Sequence, residues 1–131
     1  VKSVPREAGD STHLVSLSFQ DMLIASVSDL DRALNTTEVD FLGTPDICFV
    51  PVGGNGVMDY KTAVQTINTV QPRIVIPTFF ATNDYAVERE SIETFVNEYA
   101  VANPEYHDSV NLKTSDLPSG TTETYLLNLA T

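Results

Sequence analysis

Three short stretches concentrate the side chains that could do chemistry: 26–32 (SVSDLDR), 53–59 (GGNGVMD) and 78–84 (TFFATND). Asp29 and Asp31 stand two residues apart. On an extended backbone such residues point the same way, so the pair could share a metal ion. The plainer role is a solvated turn in which Asp29 caps the segment that follows. The Gly-Gly-Asn-Gly turn at 53–56 would let the backbone approach a ligand closely. No Lys-Ser or Lys-Thr directly follows it, so a Walker A loop is excluded; it does not fit G-x-G-x-x-G either, and the expectation favours glycines that supply positive φ over nucleotide binding. A Ser-His-Asp triad has no support, because there is no G-x-S-x-G and neither His13, which opens a strand, nor His107 is expected at a strand's carboxyl end. His107 is expected in a polar linker, at a surface or edge. The lone Cys48 sits in the apolar run DICFVPV with no Lys, Arg or His near it. It reads as a buried, inert thiol suited to a reducing, cytoplasmic setting.

Composition narrows the chemistry further. The chain has 131 residues, expected to form a single domain over 1–131, with 42% hydrophobic residues. Seven Lys and Arg against 18 Asp and Glu give a net charge of −11. That field repels phosphate backbones and anionic lipid, so neither nucleic acid nor membrane is an expected partner. The five tyrosines are scattered with no basic stripe beside them. Two histidines and one cysteine cannot build a typical zinc site on their own. No apolar run approaches the ~20 residues of a membrane helix, and no signal-peptide h-region opens the chain. With Val1 rather than Met first, the N-terminus is expected to be processed, trimmed or cut from something longer.

The candidate residues need elements to hold them. Val15, Leu17 and Phe19 alternate, and with a turn at Gln20-Asp21 and the apolar 22–27 they predict a hairpin. A short helix is expected over TEVDFL, capped by Thr36 or Thr37 and stopped by Gly43. DICFVPV reads as a strand covered on both faces. Asp59 is placed to cap a helix over 60–70 whose Ala63, Val64, Ile67 and Val70 share one face. RIVIP at 73–77 completes a βαβ unit with a parallel strand pair. A helix over about 88–101 buries Ile92, Phe95, Val96 and Tyr99, and strands are expected over 110–113 and 121–129. The result is an α/β (α+β) domain, a mixed sheet with a central βαβ unit and flanking helices. In such sheets function collects at the carboxyl ends of strands. Those ends form one cleft containing Ser26, Asp31, Arg32, Asn55, Asp59, Phe79 and Asp84.

Residues 46–77 carry a resemblance. An apolar strand ends in Pro-Val-Gly-Gly, a helix opens with Asp, and a Gln-Pro precedes an apolar strand ending in Ile-Pro. Asp29-Leu30 after the hairpin and Asp116-Leu117-Pro118 near the end extend the pattern. This run resembles the C-terminal half of the metallo-beta-lactamase-fold metal-dependent hydrolases, in the small bacterial UlaG-like branch. The resemblance implies half of an αββα sandwich, with two metals, commonly zinc, bound mainly by a His-x-His-x-Asp-His loop in the other half. Carried over position by position, the bridging aspartate matches Asp29. The positions of ligand histidines fall on Ser26, Arg32 and Phe79. Phenylalanine cannot ligate a metal and an arginine repels one.

Two readings follow from that comparison. The first is a degenerate or partial metallo-beta-lactamase-fold protein with a structural or binding role and no cofactor of its own. The alternative is a two-metal, water-activating hydrolase with Asp29 as metal ligand, whose other ligands and zinc site need a separate N-terminal half or another subunit. The sheet face that packs on the other half would be apolar, so a homodimer or a partner chain is expected to cover it.

Overall fold

The computed structural model describes residues 2–5, 13–27, 32–54, 58–78, 92–99, 106–109, 112, 115, 117, 118 and 120–127. The hairpin is present, β2 (His13–Phe19) against β3 (Met22–Ser26), with Leu17 opposite Ile24 and Phe19 opposite Met22. Gln20 and Asp21 both take positive φ (50° and 63°), the backbone hand that matches strand twist in a two-residue turn. A strand that alternation did not announce, β1 (Lys2–Pro5), pairs antiparallel on the outer side of β2. Its sequence KSVP has no apolar period, and an edge position demands none.

After β3 come α1 (Thr36–Leu42), β4 (Ile47–Pro51), α2 (Tyr60–Val70), β5 (Ile74–Thr78) and α3 (Ile92–Tyr99). Three two-residue strands follow, β6 (Tyr106–His107), β7 (Glu123–Thr124) and β8 (Leu126–Leu127). The main sheet has the order β1-β2-β3-β4-β5-β7, antiparallel through β3 and parallel from β3 to β7. The βαβ unit β4-α2-β5 sits at its centre with the parallel pairing expected. β6 and β8 form a separate parallel pair, so His107 lies in a strand rather than a linker.

Each face of the sheet has its own core. On one side Leu14, Ala25, Cys48, Val50 and Val75 pack with Leu42 of α1, Ala63, Ile67 and Val70 of α2, and Ile92 and Phe95 of α3. On the other, Met22, Ile47, Ile74 and Ile76 are buried together with Leu112, Leu117, Tyr125 and Leu127 packed against them. β4 contributes to both clusters, which is why its sequence is apolar without a period.

The single strand expected over 121–129 divides in two. β7 runs beside β5 through bonds from Glu123 N–H to the Arg73 carbonyl and from Tyr125 N–H to the Val75 carbonyl. Two residues on, Pro77 brings no N–H to that side, so the ladder stops and the chain crosses to pair with β6. Leu126 then enters the helix-side core, and Leu127 the opposite one. The strand expected over 110–113 is not seen at Leu112, its one described residue.

Candidate functional site at the carboxyl ends of the parallel strands

The carboxyl ends of β3, β4 and β5 lie side by side as expected, held by bonds from Val27 N–H to the Phe49 carbonyl and from Val52 N–H to the Thr78 carbonyl (both 3.0 Å). Of the candidate residues, Ser26, Arg32 and Asp59 are described. Asp29, Asp31, Asn55, Phe79 and Asp84 lie outside the described residues.

Ser26 is the last residue of β3, half-buried, and opposite Val15 on one side and Phe49 on the other. Asp59 is exposed, and its Oδ1 accepts from Thr62 N–H at 2.8 Å as the N-cap of α2. Gly53 bridges Asp59, and Gly54 N–H donates to the Met58 carbonyl at 2.8 Å. Gly54 sits at φ 72°, so here the Gly-rich turn does what positive φ requires of it. Closing the turn this way seats Met58, fully buried, beneath α2, where the Thr66 hydroxyl lies 3.5 Å from its sulfur.

Arg32 is the most engaged side chain of the site. Its two terminal nitrogens bond the two Glu38 oxygens at 2.8 and 3.0 Å, and one of them also donates to the Ala33 carbonyl at 3.0 Å. Glu38 is all but buried, its side chain 4% exposed against 33% for Arg32. Glu38 also closes a capping box: its Oε1 accepts from Asn35 N–H at 2.9 Å, while Asn35 Oδ1 accepts from Glu38 N–H at 2.8 Å. The cap of α1 is therefore Asn35, not Thr36 or Thr37, which are the first helical residues. The pattern Asn35-x-x-Glu38 was the signal for it, and Glu38 is the residue that sequence reasoning passed over.

The described part of the site does not fit a divalent metal. Position 26 offers only a hydroxyl and position 32 a guanidinium already spent on a carboxylate. Among the described residues no three His, Cys, Asp or Glu side chains group closely enough to hold an ion. Cys48 is wholly buried in the core, where desolvation pushes its thiol up to about 12 from the usual 9.0, so it is no nucleophile. The His107 ring stands 6.2 Å from that of Tyr125. β2 begins at His13 as expected. No helix among the described residues is long and apolar enough to cross a membrane.

The comparisons agree with this architecture. A family model described as the beta-lactamase superfamily domain matches residues 3–79. The crystal structure of a proposed zinc-dependent hydrolase of the metallo-beta-lactamase superfamily from Thermotoga maritima superposes with a TM-score of 0.80 at 18% identity, over 96% of this chain. This chain spans only 63% of that protein. With more than half its length matched by the family model, the chain belongs to the beta-lactamase superfamily, and its fold is metallo-beta-lactamase-like.

Proposed function

We propose that the chain is a partial metallo-beta-lactamase-fold protein of the UlaG-like branch with a degenerate metal site, acting in binding or assembly rather than as a hydrolase on its own. One observation carries this reading. Arg32, at a position where the family resemblance implies a histidine ligand, is held by two hydrogen bonds to the buried carboxylate of Glu38. A guanidinium has no lone pair to offer a metal, and one held by a carboxylate cannot give way to a ligand at that position. The test is the metal content of the chain purified without chelator, together with its zinc affinity. The expected result is under about 0.1 zinc per chain and no tight site. Stoichiometric zinc that survives dialysis overturns the proposal.

A second reading rests on the coverage of the Thermotoga maritima protein. Since this chain spans 63% of a proposed zinc-dependent hydrolase, remaining ligands supplied by another half would make Asp29 one ligand of a composite centre. A His-x-His-x-Asp-His sequence on a co-purifying chain, with zinc bound only to the mixture, favours this reading over the first.

The apolar sheet face supports a role in assembly. Val15, Leu17, Phe19, Met22, Ile24, Ser26, Ile47 and Phe49 share that face, and none is charged. The occupant proposed for it is a second copy of this chain. The net charge of −11 then lies away from the contact, and a two-fold axis stacks the same uncharged patch on itself.

A further inference from the structure

The end of the sheet opposite the strand-end cleft carries an open cavity of about 360 Å³. It lies where β4, β5 and β7 begin, and Thr44, Asn68, Gln71, Arg73, Tyr99 and Thr121 line it. Its walls carry two kinds of unmet hydrogen bonding. The first is Arg73, whose Nε stands 3.6 Å from Asp46 Oδ1 while its terminal nitrogens bond no described residue. A guanidinium fork with open donors matches a carboxylate in a bidentate pair. The second is the C-terminus of α2. Gln71, in the left-handed conformation, returns its N–H to the Ile67 carbonyl. The next residue, Pro72, has no N–H, and the N–H groups of Arg73 and Ile74 go to Pro45 and Asp46. The last carbonyls of the helix, from Asn68 onward, thus have no backbone donor among the described residues, and they hold the negative end of the helix dipole.

These two walls ask for opposite charges in one small volume. A bare anion would meet the carbonyls and the field of a chain at −11, and a bare cation would meet Arg73. We propose that this cavity binds a small zwitterion of the α-amino-acid class, its carboxylate on Arg73 and its ammonium toward the C-terminal carbonyls of α2. The volume is in the range of small-molecule sites, and the lining is polar rather than apolar, which suits a short side chain. Tyr99 closes one wall, hydrogen-bonded to Thr122, whose hydroxyl donates to the Pro72 carbonyl at 2.6 Å. Burial raises the Tyr99 phenol, outweighing its bond to Thr122, so it stays neutral and adds no charge. The site is independent of the proposed metal-site degeneracy, since it shares no residue with the strand-end cleft.

The experiment is a titration of the whole chain by amide NMR with L-alanine, acetate and ethylamine in parallel. L-Alanine is expected to give saturable shifts at Gln71, Arg73 and Thr121, with acetate and ethylamine each at least about tenfold weaker. Arg73→Gln is expected to weaken L-alanine about tenfold and Arg73→Lys, which keeps the charge but not the fork, to fall between. Spectra of both variants with unchanged dispersion show that the fold is intact, as expected for a half-exposed side chain. Absence of saturation by about 50 mM L-alanine overturns the proposal. So does acetate or ethylamine binding as well as L-alanine, or an Arg73→Gln variant that binds undiminished.

Discussion

Arg32 and Glu38 show how a side chain at a functional position can be absorbed into structure. Removing Arg32 takes two charge-assisted hydrogen bonds away from a nearly buried carboxylate, and weakening the partners of a buried charge is costly. Arg32→Met is therefore expected to lower unfolding free energy by about 2 kcal/mol in urea melts, reduced from the fully buried case because Arg32 is one-third exposed. Glu38→Gln keeps the capping geometry and is expected to cost less, and in that background Arg32→Met loses most of its effect. Equal losses in both backgrounds would show that the pair is not coupled. Cys48 makes a second prediction. With the thiol raised from 9.0 to about 12 by burial, the folded state holds its proton where the unfolded state has released it. The thiol then costs nothing below pH 9, and stability falls as pH rises from 9 to 12, by up to about 4 kcal/mol. Subtracting the pH profile of Cys48→Ala isolates this contribution: the difference is expected to be flat to pH 9 and to decline above it.

At the scale of elements, caps and prolines set the boundaries. Asp59 starts α2 by bonding Thr62 N–H, and Asp59→Ala is expected to cost about 1 kcal/mol, read as a lower urea midpoint with unchanged slope. Two prolines end ladders where the chain diverges. Pro77 ends β7 against β5, as described. Pro51 does the same between β4 and β3: the Phe49 carbonyl accepts from Val27 N–H, and the next group facing β3 is the missing N–H of Pro51. The helices, the hairpin and the βαβ unit were legible because each carries a period, a cap or a turn pair. β1, β6 and the division of β7 from β8 were not, since their pairing partners are distant and a two-residue strand has no period to read. The same holds for the site. The strand-end location and the capping role of Asp59 follow from local pattern. The Arg32–Glu38 pair depends on how Arg32 meets the first turn of α1, and the cavity around Arg73 depends on the packing of α2, α3 and β7.

For the molecule as a whole, the two sheet faces are unequally covered. Helices α1, α2 and α3 pack on one face, while on the other the described residues Leu112, Leu117 and Tyr125 pack against Met22, Ile47, Ile74 and Ile76. Coverage fails toward β2, where Phe19 is 55% and Val15 36% exposed, with Leu17, Ile24 and Phe49 half-buried between them. Under the assembly proposed above, a second copy covers this uncharged patch without bringing the like charges of a chain at −11 together. Light scattering after size exclusion is expected to give twice the chain mass at micromolar concentration. Phe19→Glu places a carboxylate within the patch and is expected to return the chain to monomer while leaving the urea midpoint of the isolated fold nearly unchanged, because Phe19 is mostly outside the core. A wild-type chain that stays monomeric to high concentration removes the second copy as the occupant. A dimer that Phe19→Glu does not weaken places the contact on another surface, and the short edge strand β1 then becomes the next segment to test.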